Sequence, residues 1–580
     1  MFCVRKILPV IRLGLCFTAV FLLSDRVGAA EYHLTIAKKD VVIDGKTVTP
    51  LTINGQLPGP ALQWKEGEDV TIHVANQLDE DTSLHWHGFL LPGEMDGVPG
   101  LNGFPGIKPG ESFTYKFKIR QSGTYWYHSH SNAQEQAGLY GAIVVTPAKP
   151  DIVRADRDYV VVLSDFTAED PHRILANLKV DPGYYNYGKR TVGDFFRDAA
   201  DKGLGATLRD RLDWGDMRMD PTDLADVGHY TFLVNGKATA DNWVGLFKPG
   251  ERVRLRFINA SAMSYYDVRI PGMRMVVISA DGQNVQPVPV DEFRIAIAET
   301  YDVIVTPEED KAYPIMVEPI DRSGFVRASL APKLDMAAEI PARRPRAVLT
   351  MADMGMAHGG MDHGSMAGMD HAAMGHDMPM DHSKMSGMDH AAMMAAMTST
   401  PDSTPKERAV GWADAGTPKG MKALDYKDLK SLTPQKDLRK EEREIVVRLG
   451  GNMERYIWTL NGKKLSEADP VLLRFGERVK LTFINETMMA HPMHLHGMFV
   501  QLVNGQPAER LPNKHIVSVP PGQSYSAMLT ADEPGEWSFH CHLLYHMESG
   551  MMTKAVVARL PASAIKSATT PSEESRHDQH

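Results

Sequence analysis

The chain has 580 residues, with 63 Lys and Arg against 73 Asp and Glu, for a formal net charge of −10. That length is too great for one hydrophobic core and sets an expectation of about three or four domains. The acidic balance argues against a nucleic-acid partner and is compatible with cationic substrates.

Arg5, Lys6 and Arg12 precede an apolar run around Leu13 to Leu23, and Gly28-Ala29-Ala30 offers a small-residue cleavage site. Residues 1–30 therefore read as a secretory signal. The run is short for a bilayer, so no stable membrane span is expected. Arg5-Lys6 is not a twin-arginine pair, which leaves the export route open. Cleavage removes four basic residues and one acidic one, taking the charge to −13, and it removes Cys3 and Cys16. Cys541 is then the last cysteine, no internal disulfide can form, and an exported chain of this size needs a real core.

Residues 31–150 form the first expected domain. Leu51-Thr52-Ile53-Asn54-Gly55 reads as a strand entering an Asn-Gly turn, and a glycine-led alternating strand follows from Gly67 to Asn76. His85-Trp86-His87-Gly88 comes next, then Asp96 within Gly93-Glu94-Met95-Asp96-Gly97, then Gly123-Thr124-Tyr125-Trp126-Tyr127-His128-Ser129-His130. Residues 151–340 repeat the strand pattern at Phe232 to Gly236 and Gly250 to Asn259, but offer Tyr265-Tyr266-Asp267-Val268-Arg269 where the first copy has histidines. This middle copy should hold no ligand cluster. An insertion from Asp181 to Gly228 carries a predicted helix over Asp194 to Asp213, followed by Met217 and Met219 with Asp216 and Asp220, thioethers and carboxylates that are minor candidates for metal contact.

Residues 341–440 form a linker of another composition. Met351 to Met397 repeats Met-Asp-His at 361–363, 369–371, 380–382 and 388–390. Thioethers with imidazole select Cu(I), and the stretch has too few aromatic and β-branched residues for a core. Residues 441–560 repeat the strand pattern a third time at Trp458 to Gly462 and Gly476 to Asn485, followed by His491-Pro492-Met493-His494-Leu495-His496-Gly497 and by Gly535 to His542. The tail, 561–580, is polar and expected to be disordered. Three copies of short alternating strands punctuated by Gly and Pro predict an all-β chain of antiparallel sandwiches.

The chemistry concentrates in His540-Cys541-His542-Leu543-Leu544-Tyr545-His546-Met547-Glu548-Ser549-Gly550-Met551. Cys541 and His546 can bind one copper with Met551 as a weak axial ligand, a donor set that suits copper better than zinc. On an extended chain His540 and His542 leave the face opposite Cys541, where they can hold other metal ions.

These four histidine motifs resemble those of the three-domain multicopper oxidases, over essentially the whole mature chain. The resemblance implies three cupredoxin-like Greek-key β-sandwich domains and four catalytic copper ions. It assigns His491, Cys541, His546 and Met551 to a type 1 site and His85 and His494 to a type 2 site. One type 3 copper falls to His87, His128 and His542, the other to His130, His496 and His540. It further implies one-electron oxidation of a reductant, passage of electrons through Cys541 to His540 and His542, and reduction of dioxygen to two waters. Asp96 matches a family carboxylate that donates protons near the trinuclear site; the alternative is a turn aspartate bonded to its own backbone. A second carboxylate, which some members place directly after the residue equivalent to His546, is replaced here by Met547, with Glu548 next.

Within that family the Met-rich segment makes the chain similar to the copper resistance protein A family of periplasmic oxidases. That likeness implies Cu(I) and dioxygen as substrates, phenols as further reductants, extra labile copper on the segment, and periplasmic copper carriers as partners of a monomer. Met489 matches a substrate-Cu(I) position, and alternation would put it on the face of His491. The neighbouring family carboxylate is Thr487 here, which leaves Glu486, or Met351, Asp353 and Met354, as substitutes. A laccase-like phenol oxidase and a copper-sequestering carrier are the alternative readings.

Overall fold

A computed structural model describes residues 30–216, 220–345, 348–350 and 416–559. The expected secretory signal, the Met-Asp-His repeats, Met217, Met219 and the polar tail lie outside the described residues.

The architecture is all-β, three cupredoxin-like sandwiches of two sheets each. In the first, Leu51–Ile53, Ala30–Lys38, Asp69–Asn76 and Ser112–Lys118 face Gly59–Lys65, Tyr140–Thr146, Gly123–His128 and His85–His87. The second and third sandwiches each set a six-stranded sheet against a five-stranded one. In all three the opening strand runs antiparallel to the strand of the Asn-Gly turn and parallel to the alternating strand. These neighbours are Leu51–Ile53 and Asp69–Asn76 for Ala30–Lys38, Thr231–Val234 and Val253–Asn259 for Arg157–Phe166, and Ile457–Leu460 and Arg478–Asn485 for Arg443–Asn452. The sheets are thus mixed, antiparallel for most neighbours and parallel where the opening strand meets the alternating one.

The turns that mark the repeat have the backbone their residues favour. Asn54-Gly55, Asn235-Gly236 and Asn461-Gly462 all sit at φ between 50° and 76°, the left-handed pair of a type I′ turn, which Asn and Gly tolerate best. A helix Pro171–Val180, capped by Asp170, precedes the insertion, which itself contains two helices, Val192–Lys202 and Leu204–Asp216, where the sequence suggested one. Gly203, at φ 86°, ends the first of them. This hairpin leaves Val192, Phe196, Leu204, Leu208 and Leu212 exposed, while Trp214 at its end is buried in the shared core.

One continuous hydrophobic cluster runs through all three sandwiches, with Trp64, Trp86, Trp126, Trp458 and Trp537 among its largest members. Polar pairs also join the domains. Thr124 Oγ1 donates to Asp302 at 2.7 Å, Lys514 Nζ lies 2.6 Å from Glu299 and 3.1 Å from Asp281, and Asn102 exchanges two hydrogen bonds with the backbone of Glu536. Together they bring the histidine-bearing strands of the first and last sandwiches face to face.

Candidate metal centre

Strand register sets the first layer of the site. His85–His87 pairs with Gly123–His128 so that His85 stands opposite His128. In the third sandwich His491–Leu495 pairs with Gly535–Cys541, placing His494 opposite His540 and Met493 opposite Cys541. The corresponding strand of the middle sandwich, Tyr266–Arg269, carries ion pairs instead, Asp267 with Arg294 and Arg322 and Arg269 with Glu318. No histidine group forms there among the described residues.

Around the interface of the first and third domains, donor atoms gather in threes, each within 4.8 Å of the others. The groups are His87, His128 and His542; His130, His496 and His540; and His85, His494 and His496. His540 Nε2 is 3.1 Å from His496 Nε2 and 3.4 Å from His130 Nε2. The outer ring nitrogens are anchored. Nδ1 of His85 donates to the Asp96 carbonyl at 2.8 Å, that of His494 to the His515 carbonyl at 2.7 Å and that of His540 to the Cys541 carbonyl at 2.9 Å. Nδ1 of His496 meets Asp96 Oδ2 at 2.8 Å, and that of His128 meets Glu135 Oε2 at 2.7 Å. Such partners fix tautomer and ring orientation, the usual second layer of a metal site. Burial, reinforced by neighbouring imidazoles, pushes the pKa of His87, His128, His130, His494, His496 and His542 well below the ordinary value. Burial takes His540 to about 4. The rings are held neutral, which is the ligating form.

A second set lies on the far side of the same strand. Cys541 Sγ is 3.5 Å from His491 Nδ1 and 3.9 Å from His546 Nδ1, and the two Nδ1 atoms are 3.2 Å apart. Met551 is buried beside them, its carbonyl accepting from Cys541 N and its N–H donating to His546 O. His491 Nε2 meets Thr487 Oγ1 at 2.7 Å, and His546 Nε2 meets Asp226 Oδ2 at 2.7 Å. Tyr456 also donates to Asp226 Oδ2, and Trp458 stacks on the His546 ring at 3.8 Å. Burial raises Asp226 to about 7 against the Tyr456 hydrogen bond, and burial pushes the Cys541 thiol up.

The other candidates fall as follows. Asp96 is buried with its carboxylate between His496 and His85, Oδ1 lying 3.3 Å from His85 Nδ1 and making no hydrogen bond. Met489 is buried, but in a bend before the strand that starts at His491, so strand alternation does not govern where it points. Glu486 is on the surface, paired with Arg448. Met351, Asp353 and Met354 lie outside the described residues. Glu548, two residues after His546, is exposed, and partial desolvation by its surroundings raises its carboxyl. It lines a cleft of about 350 Å³ with Asp81, His130 and Met547.

Three functional neighbours had no sequence signal. Glu135 meets His128 within the first domain and Asp226 reaches His546 from the second, and their carboxylates carry no local pattern. Burial, then Asp165, raises Glu135 well above the carboxylate range. His515 stands in Asn513-Lys514-His515, outside any paired-histidine motif, yet groups with His87 and His494 with both ring nitrogens buried and unpartnered.

The residues fit copper. Nε2 of His85, His128, His494 and His542 and both nitrogens of His87 are buried without a hydrogen-bond partner, a cost of about 1–3 kcal/mol each that a bound cation removes. Convergent neutral imidazoles, and a thiol with two imidazoles and a thioether nearby, are copper donor sets. Family models described as multicopper oxidase match residues 35–150, 190–333 and 439–560. Copper resistance protein A of Escherichia coli is 50% identical over 91% of this chain and 92% of its own. The copper resistance protein A homolog of Pseudomonas syringae pv. tomato is 48% identical over 92% and 93%. Among solved structures, the multicopper oxidase Fet3p, which functions in iron import, aligns with a TM-score of 0.65 over 94% of this chain and 93% of its own at 18% identity. Fold, donor sets and three matched segments lead to one conclusion: the chain belongs to the multicopper oxidase family, whose members are copper-containing oxidoreductases.

Proposed function

We propose that this protein is a periplasmic multicopper oxidase of copper resistance that oxidises Cu(I) to Cu(II), and phenols as well, while reducing dioxygen to water. The observation that carries the reading is the placement of two donor sets on one strand: Cys541 with His491 and His546 on one side, His540 with the histidine cluster on the other. Likeness to the copper resistance proteins A over nearly the full chain supports the substrate and the resistance role. Among the described residues no helix is long and apolar enough to cross a membrane, which agrees with an exported chain.

In this reading His491, Cys541, His546 and Met551 hold the copper that receives electrons, His85 and His494 hold a second, and the trios of His87, His128, His542 and of His130, His496, His540 hold a pair. Bound copper supplies one-electron acceptance at the first set and multi-electron reduction of dioxygen at the cluster. The protein supplies the rest. Cys541 is joined by single peptide bonds to His540 and His542, a covalent path from thiolate to imidazoles. Asp226 and Thr487 hold the Nε2 atoms of His546 and His491, so that both Nδ1 atoms face Cys541. Asp96 anchors His85 and His496, and its free Oδ1 is the atom proposed to deliver protons. Met489 and the Met-rich segment are the proposed contacts for substrate copper.

Oxygen consumption by copper-loaded protein, with Cu(I) and separately with a phenol, tests this against a variant lacking residues 351–397. Turnover of Cu(I) that the deletion selectively weakens is the expected result. Turnover of phenol alone would make the enzyme laccase-like, and no oxygen uptake with either would leave copper carriage as the function.

A further inference from the structure

On the solvent face of the first sandwich, away from both donor sets, two histidines and a carboxylate meet across strands. Parallel pairing of Ala30–Lys38 with Asp69–Asn76 sets His33 directly beside His73. Their rings stack at 4.7 Å with 14° between planes. Glu31 is two residues before His33, hence on the same face. Its Oε1 lies 3.0 Å from His73 Nε2 and 3.6 Å from His33 Nε2. His73 Nδ1 is 2.9 Å from Thr114 Oγ1 on the next strand, which fixes that ring with Nε2 outward.

We propose that Glu31, His33 and His73 form a surface site for a divalent first-row transition-metal cation, with copper(II) the tightest. The carboxylate lies close to the spacing of an ion: adjacent ligands about 2.0 Å from a tetragonal copper(II) are roughly 2.8 Å apart, near the 3.0 Å between Glu31 and His73. The exposed His33 ring, now 3.6 Å from Glu31, turns out of the stack to aim its Nε2 at the same ion. The Thr114 contact is the outer partner that ligating histidines characteristically have. The donors are one carboxylate and two imidazoles with no thioether, a set matched to Cu(II) over Cu(I), and copper(II) leads its divalent neighbours in affinity. Side-chain exposures of 60% for Glu31, 73% for His33 and 33% for His73 leave the site open to incoming metal. Exposed pairs of this kind add little to stability, so folding does not require the arrangement. The site does not depend on the oxidase reading, because none of its residues touches either donor set.

The test is equilibrium dialysis of Cu(II) against the full-length, copper-loaded protein, with electron paramagnetic resonance of the added ion. Wild type is compared with His33→Ala, His73→Ala, the double variant and Glu31→Gln. Each alanine variant should lose one equivalent of added Cu(II) with its imidazole-type signal, and Glu31→Gln should weaken that equivalent about tenfold, with cofactor copper and oxygen consumption unchanged in all. An undiminished equivalent in the double variant overturns the proposal. Loss in His33→Ala with retention in His73→Ala also overturns it, since the ion would then be held by His33 and backbone nitrogens.

Discussion

Asp96 and Asp226 illustrate how a buried carboxylate sets the aim of an imidazole. Asp226→Asn removes the charge that faces His546 Nε2, and outer-layer substitutions of this kind cost roughly 10–100-fold in metal affinity. The Cys541 set should lose its copper to a chelator by about that factor, read from the visible absorption of thiolate-bound copper, while the histidine cluster keeps its own. For Asp96→Asn the expected loss is in oxygen reduction, about 100-fold or more if it is the proton donor. Stopped-flow reduction of the Cys541 site would be spared, and equal oxygen kinetics in the variant would remove Asp96 from proton delivery. The residues that the structure gathers into donor sets were readable because each lies in a short motif. Their supporting groups were not. Glu135, Asp226 and His515 reach the site from segments whose sequence has no periodicity or spacing tied to it; Glu135 meets His128 and His515 meets His494 within their own domains, and Asp226 arrives through domain packing.

Repeated elements were the most legible part of the chain, since an Asn-Gly turn and a glycine-led alternating strand declare their geometry locally. Replacing Gly462, at φ 76° with open space around it, by Ala should destabilise the third sandwich by about 1 kcal/mol through backbone strain alone, measurable as a lower urea midpoint. What the local pattern could not reveal was direction. The parallel pairing of Ala30–Lys38 with Asp69–Asn76 is a decision of the crossover, made by tertiary packing. A similar limit explains the insertion, where the helix predicted over Asp194 to Asp213 was right in kind but did not foresee the break at Gly203 or the exposure of Phe196 and Leu208. Met489 is the converse case: an alternation argument needs a strand, and that residue sits in a bend before one.

Across the whole molecule, stability rests on charges buried between and within domains as well as on the shared core. Lys514, fully buried between Asp281 and Glu299, links the third sandwich to the second. Lys514→Met would leave two carboxylates unpaired and should cost about 3–5 kcal/mol, seen as a lowered calorimetric Tm. The middle sandwich adds an acid-sensitive element. Burial would raise the Asp267 carboxyl, but Arg294 and Arg322 outweigh it and hold its pKa at about 2. A folded pKa below the unfolded value of about 3.9 means that its stabilisation, about 2–3 kcal/mol, is complete above that pH and is lost as pH falls to about 2. Asp267→Asn should flatten the Tm against pH in that window, and an unchanged slope would assign the acid sensitivity elsewhere. The meeting of His130 with His540, 410 positions apart in the chain, carries a consequence for biogenesis. A ribosome completes the first half of each trio long before it reaches the second, so the cluster cannot exist on any nascent or truncated chain that stops short of the strand Gly535–Cys541. A metal held by the whole cluster is therefore taken up only after that strand is made, and a chain stopped upstream of it lacks His540, Cys541 and His542.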